Sequence, residues 1–206
     1  MPSIEMFGVE FGPQDLTVWG WLIVVGYLVA ATLSVGAGLL RHRRTPEAPR
    51  RLEWFWYGLA LALVALAFNK QLDLQSYGTE FGARQAWQNG WYGDRRIVQV
   101  LFIRGVFAGG VAVALALLLL FRRSSPQHWL AIAGSVALLA FIAIRASSFH
   151  DVDILLRDHV GGVSLNIALE GGGILVIALA ALWALLGSLA RKRSLRVASL
   201  VATSRR

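Results

Sequence analysis

The sequence predicts an all-α fold, a polytopic bundle of transmembrane helices with about five spans, an outside N-terminus and a cytoplasmic C-terminus. Three observations carry this: an apolar composition, long uncharged runs, and basic residues gathered between them. The 206 residues are 56% hydrophobic and only 16% charged, with a mean hydropathy of +0.58, where a soluble domain has about 25% charged residues. A net charge of +8 and a pI near 11 would suit a nucleic-acid partner, but Arg-rich cytoplasmic loops account for the excess, so no nucleic acid is expected. The chain has no cysteine, which excludes disulfides, thiolate metal sites, thiolate-held Fe–S clusters and a cysteine nucleophile.

The N-terminal stretch carries Glu5, Glu10 and Asp15 without a basic residue, unlike the positive start of a secretory signal, so the first apolar run reads as a retained span. That run covers residues 18–40, enough at about 1.5 Å per residue to cross a core of about 30 Å. The others cover residues 52–72, 97–121, 128–149 and 163–189, and a basic tail covers 190–206. The whole chain reads as one transmembrane domain without an internal repeat.

Orientation follows from the connections. Arg41, Arg43, Arg44, Arg50 and Arg51 lie between spans one and two, Arg122 and Arg123 between spans three and four, and Arg191, Lys192, Arg193, Arg196, Arg205 and Arg206 in the tail. All three segments fall on one side of a five-span arrangement, and the positive-inside rule makes that side cytoplasmic. His42 and His128 read as interfacial at that boundary. On the outer side, residues 73–96 mix Tyr77, Phe81, Trp87, Trp91 and Tyr92 with polar residues, the make-up of an interfacial segment. Residues 150–164, HDVDILLRDHVGGVS, suggest a short surface or re-entrant helix ended by Gly161 and Gly162. In span one, Gly26, Ala30, Ser34 and Gly38 recur every four residues, a small-residue stripe that lets a backbone approach closely, either within the chain or in a homo-oligomer or membrane complex.

Ionisable groups inside spans are costly, roughly 2.5–3.5 kcal/mol each, and so their placement is informative. Asn69, Lys70, Gln71 and Asp73 end span two; Arg95, Arg96, Gln99 and Arg104 open span three; Arg145, Ser147, Ser148, His150, Asp151 and Asp153 end span four; Asn166 and Glu170 open span five. All lie in the outer third or just above it. Arg104 and Glu170 come out at similar depth, on the order of 10 Å, which makes them expected partners, while Arg145 could pair with Asp73 or Asp151. Two readings stay open: structural ion pairs joining helix ends, or an outward-facing pocket in which Asn69, Lys70, Arg104, Arg145 and Asn166 bind an anionic small molecule or lipid headgroup.

An enzyme at this layer would be a membrane-embedded hydrolase or transferase working at the outer surface, with His150 as general base and Asp73, Asp151 or Glu170 orienting it or holding a metal. His150, Asp151, Asp153, Asp158 and His159 are hard oxygen and imidazole donors that suit a divalent cation, yet their spacing matches no standard metal motif. Ser147 and Ser148 beside His150 lack a GxSxG elbow. Nothing in the sequence specifies a cofactor.

The stretches FNKQLDLQ (68–75), GWYGDRRIVQVLFI (90–103), IRASSFHDVD (144–153) and LNIALEGGG (165–173) resemble the signature stretches of a group of uncharacterised bacterial multi-pass membrane proteins. The resemblance covers most of spans two to five. It implies a bacterial inner-membrane location and no activity, and therefore no site residue is carried over. Members of such groups sometimes bear an isopropylmalate isomerase label, which does not fit a chain without the cysteines that a soluble Fe–S isomerase needs.

The topology is directly testable. A reporter fused at the C-terminus or within residues 122–127 should report cytoplasmic, and one near residue 85 should report outside. A cytoplasmic signal at 85 would overturn the five-span arrangement.

Overall fold

The computed structural model describes residues 4–6, 9–11, 17–44, 49–72, 82, 84–85, 87–90, 93, 95–146, 159–160 and 163–204. Five helices dominate: α1 (Val18–Arg44), α2 (Arg51–Leu72), α3 (Arg95–Leu120), α4 (Pro126–Ala146) and α5 (Leu165–Ser204). Each contains a stretch long and apolar enough to cross a membrane. Two short antiparallel ladders complete the described elements, β1 (Ile4–Met6) with β2 (Val9–Phe11) and β3 (His159–Val160) with β4 (Val163–Ser164).

The helix starts are set by local chemistry. Thr17 Oγ1 accepts the backbone N–H of Gly20 at 3.0 Å, the N-cap of α1. Before α4, the Ser125 carbonyl accepts the first helical N–H groups and Pro126 occupies the first turn, where its missing N–H loses nothing. Glu53 sits in the first turn of α2 and Lys70 and Arg145 in the last turns of α2 and α4, each sign suited to its end of the helix dipole.

The apolar stretch of α5 ends at Ala190, as expected for the fifth span, and the helix itself runs on through the basic tail to Ser204, because the tail supplies helix formers with neither Gly nor Pro to end it. One expectation needs correction: His159 and Val160, expected in a surface helix ended by Gly161 and Gly162, are extended, and they pair with Ser164 and Val163 in an antiparallel ladder. Residues 150–158, 161 and 162 of that segment lie outside the described residues. In the expected interfacial segment, a helical turn ends where Asn89 N donates to Gln85 O, and Gly90 then takes a left-handed φ of 73°.

Packing runs α2–α1–α5–α4–α3, with α1 lying between α2 and α5, and α5 between α1 and α4. One core joins Ile23, Tyr27 and Ala30 of α1, Ala60 and Leu63 of α2, Leu138 of α4, and Ile174 and Ile177 of α5. A second, toward the arginine-rich end, joins Ala37, Phe55, Trp56, Phe121, Ala131, Ile132, Ala180 and Ala181. There His128 is 2% exposed, its ring 5.2 Å from Trp56 and 5.4 Å from Phe55, and its Nδ1 2.8 Å from Ser125 Oγ. His128 is thus packed among the helices at that end of the bundle. His42 is exposed and meets the buried Glu53 carboxylate at 3.0 Å.

The small-residue stripe of α1 makes its close approaches within the chain. Ala30 and Ser34 are fully buried, a Cβ on Gly26 would lie 3.4 Å from Ile174, and one on Gly38 would lie 2.8 Å from Tyr57. Ser34 Oγ is satisfied by the Ala30 carbonyl at 2.8 Å, so the stripe buries its one hydroxyl at little cost. Helices α4 and α5 also approach closely: a Cβ on Gly134 would meet Ile177 at 2.8 Å and the Gly173 carbonyl at 3.1 Å, and one on Gly173 would meet Leu138 at 2.8 Å. Helix α3 packs chiefly on α4, and nothing lies within 4 Å of a Cβ built on Gly105, Gly109 or Gly110.

Gly134→Val should therefore push α4 and α5 apart and lower the melting temperature in detergent, at about 1–3 kcal/mol for an overpacked contact. Gly109→Ala should leave it unchanged. Equal tolerance at the two positions would show that the α4–α5 approach does not hold the bundle together.

Candidate functional site

The polar end of the bundle is where α1 and α5 begin and α2 and α4 end. An apolar span that carries a tyrosine must find its hydroxyl a partner, and side chains on a helix tilt toward its N-terminus, which here is the polar end. Tyr27, 1% exposed, reaches Glu170: its hydroxyl donates to Oε1 at 3.1 Å. Lys70 Nζ donates to the other oxygen, Oε2, also at 3.1 Å, with the two side chains 9% and 5% exposed. One buried carboxylate thus ties together α1, α2 and α5. Both of its oxygens are engaged, the condition under which a buried charge is tolerable.

Beside this triad is a cavity of about 40 Å³ lined by Tyr27, Leu66, Asn69, Lys70, Phe141, Ile142, Arg145 and Glu170. By volume it has room for about three waters. Its polar lining comes from four helices and holds two cations, Lys70 and Arg145, with one carboxylate, Glu170. Nearby, both amide atoms of Gln71 and Oδ1 of Asn166 are buried without a hydrogen-bond partner among the described residues. Buried polar atoms left this way point to a water or a ligand.

Of the residues singled out in the sequence, the structure brings Asn69, Lys70, Arg145 and Glu170 to one cavity. Asn166 lies one turn before Glu170 on α5 and does not line it. Arg104 does not meet Glu170: it is exposed on α3, which packs on α4, while the carboxylate is taken by Lys70 and Tyr27. Equal depth along two helices says nothing about the direction in which each side chain faces, and that is where the expected pair failed. Asp73, His150, Asp151, Asp153 and Asp158 lie outside the described residues, as does the side chain of His159. Among the described residues no group of three or more metal-type side chains occurs. Sequence reasoning missed Tyr27, whose signal was its position as the single tyrosine inside an otherwise apolar span.

What this arrangement can do chemically is hold negative charge. Lys70 and Arg145 line a confined, partly apolar space, where charge-assisted hydrogen bonds are strongest.

Lys70→Met should leave Glu170 with the tyrosine hydroxyl alone, a loss of about 3–5 kcal/mol for a buried pair broken on one side. The double change Lys70→Met with Glu170→Gln should restore most of the stability, since both charges leave together. Thermal unfolding of the four proteins in detergent gives the coupling; additive losses would refute the pairing.

No family model matches the chain, and no curated protein or solved structure matches it.

Proposed function

We propose that this chain is a multi-pass protein of the bacterial inner membrane that binds an anion, a small molecule or a lipid headgroup, in an outward-facing intramembrane site. The observation that carries the reading is the charge of the cavity lining, two cations with one carboxylate. The basic loop and tail segments favour a cytoplasmic location for the opposite end of the bundle, with the N-terminus outside and the C-terminus inside. In this reading Glu170 and Tyr27 fix the Lys70 ammonium, and Lys70 and Arg145 together form the counter-charge. Asn69 supplies a neutral amide at the rim. Intramembrane ionisable groups that border a cavity mark binding or transport sites by default.

A second reading, an accessory or scaffolding subunit of a membrane complex, draws on α3. That helix is exposed along its span and leaves Gly105 and Gly109 open, whereas the glycines of the α4–α5 contact are filled. Gly109→Leu would then alter assembly without altering anion binding.

Arg145→Gln is the informative variant for the first reading, because it removes one cation and leaves the Lys70–Glu170 pair in place. Inorganic phosphate, glycerol 1-phosphate and a short-chain phosphatidylglycerol, titrated onto the purified protein, should include at least one that binds. Arg145→Gln should weaken that binding about tenfold or more, as expected for a lost charge-assisted hydrogen bond. The reading fails if none of the three binds, or if the variant binds equally well.

A further inference from the structure

We infer that the outward face of α3 is the docking surface for a membrane-spanning helix of a different protein, one that carries a carboxylate level with Arg104 and small residues beneath it. The face is the one on which the accessory-subunit reading above rests, so the partner named here depends on that reading. Burial is the first observation. None of the apolar window of α3 is buried within the chain, whereas the other four spans bury 28–44% of theirs. Helix α3 packs chiefly on α4, and its half-buried positions Ile103, Val106, Gly110, Ala114 and Leu117 recur every three or four residues, which puts them on one side.

The make-up of the other side is the second observation. Arg104, Gly105, Ala108, Gly109, Ala112 and Ala116 are exposed, and by the same spacing they share the side turned away from α4. Nothing lies within 4 Å of a Cβ built on Gly105 or Gly109. Small residues at these steps form a groove that admits a second helix backbone, which is how helices associate where lipid supplies no hydrophobic drive. Leu101, Leu115 and Leu119 are exposed along the same side and flank the groove.

Arg104 is the third observation, and its charge specifies the occupant. It lies within the apolar window that begins at Val100, on the order of 6 Å deep at about 1.5 Å per residue. It is exposed, and it makes no hydrogen bond or ion pair among the described residues. A guanidinium in a span needs an acceptor, and a carboxylate meets it with two parallel hydrogen bonds. Snorkelling to a lipid phosphate would satisfy Arg104 alone and leave the row of small residues beneath it without a purpose. A second copy of this chain does not fit either. Two copies inserted in the same sense and meeting through α3 about a two-fold axis would bring Arg104 against Arg104, like charges where water screens them little. The described spans hold two carboxylates, and both are engaged, Glu53 with His42 and Glu170 with Lys70 and Tyr27.

The test places the full chain, labelled at its C-terminus with a donor fluorophore, in phosphatidylcholine vesicles with acceptor-labelled single-span peptides. Each peptide is a leucine-rich helix with a Gly and Ala stripe and with Glu, Gln or Lys at the depth of Arg104. By energy transfer, wild type should associate with the Glu peptide about tenfold or more tightly than with the Gln peptide. Arg104→Leu should erase that preference, and Arg104→Glu should transfer it to the Lys peptide, a reversal that a misfolded chain cannot give. Gly109→Leu should weaken association with all three peptides. Equal association of wild type with the Glu and Gln peptides, or no reversal in Arg104→Glu, overturns the inference. Energy transfer between copies of the full chain that Gly109→Leu abolishes would assign the face to a second copy and overturn it too. If the peptides associate without regard to charge and Gly109→Leu weakens them, the accessory-subunit reading stands and the carboxylate partner falls; if no peptide associates, both fall.

Discussion

A carboxylate buried in an apolar bundle is the constraint around which the polar end is organised. A carboxylate in such surroundings needs hydrogen-bond donors on its oxygens, and these come from other helices. Tyr27 of α1 and Lys70 of α2 supply them, from 143 and 100 residues away in sequence. Three helices therefore have to arrive in one register, and a polar contact of this kind specifies alignment more sharply than apolar packing, which tolerates sliding. The helix dipoles favour the same arrangement. Lys70 is at the C-terminal end of α2, and Glu170 is in the second turn of α5, so each charge lies near the helix end that stabilises it.

The opposite end is built differently, and the contrast accounts for a cavity at the polar end. Around Phe55, Trp56 and His128, large rings fill the space between α2 and α4, with Phe121 of the α3–α4 connection against Phe55, while Ala37, Ala131, Ala180 and Ala181 let the neighbouring backbones close in. Partway along, the facing glycines Gly134 and Gly173 draw α4 onto α5. With α4 held to α5, and α2 held to α1, only side-chain volume can bridge α2 and α4. It does so where the side chains are aromatic, and it stops where they become Asn69, Lys70 and Arg145. Long cationic side chains border the opening without filling it.

Much of this was legible in the sequence, for reasons that differ by residue. The five spans could be read because an uncharged apolar run of some twenty residues fits little besides a membrane-crossing helix. The continuation of α5 as a helix through the basic tail was not legible, since the limit of apolar character is not the limit of helix. The membership of Asn69, Lys70, Arg145 and Glu170 in one polar end followed from counting residues inward from the span ends. Which of them touch did not follow, because counting gives height and leaves the azimuth of each helix free. Arg104 was assigned to Glu170 on height alone, and α3 turned out to lie beyond α4. Tyr27 was hidden because a tyrosine in a span reads as apolar bulk until its hydroxyl is asked for a partner. The small-residue stripe of α1 was visible at once, but only packing could show that it meets α2 and α5.

A polar layer that serves structure alone needs no more than matched charges. An ion pair that exists only to join helices is complete when its two members meet, and replacing such a pair by apolar residues is often neutral or favourable. Lys70 with Glu170 is complete in that sense. Arg145 is not required by that pair, and yet its side chain borders the same space. Gln71, beside Lys70 in sequence, and Asn166, one turn before Glu170, bury amide atoms that the described residues leave unsatisfied. Each such atom costs about 1–3 kcal/mol, which a leucine would not. Unsatisfied amides and a cavity toward the same end of the bundle share a single cause if the space is occupied by something that brings hydrogen-bonding groups with it.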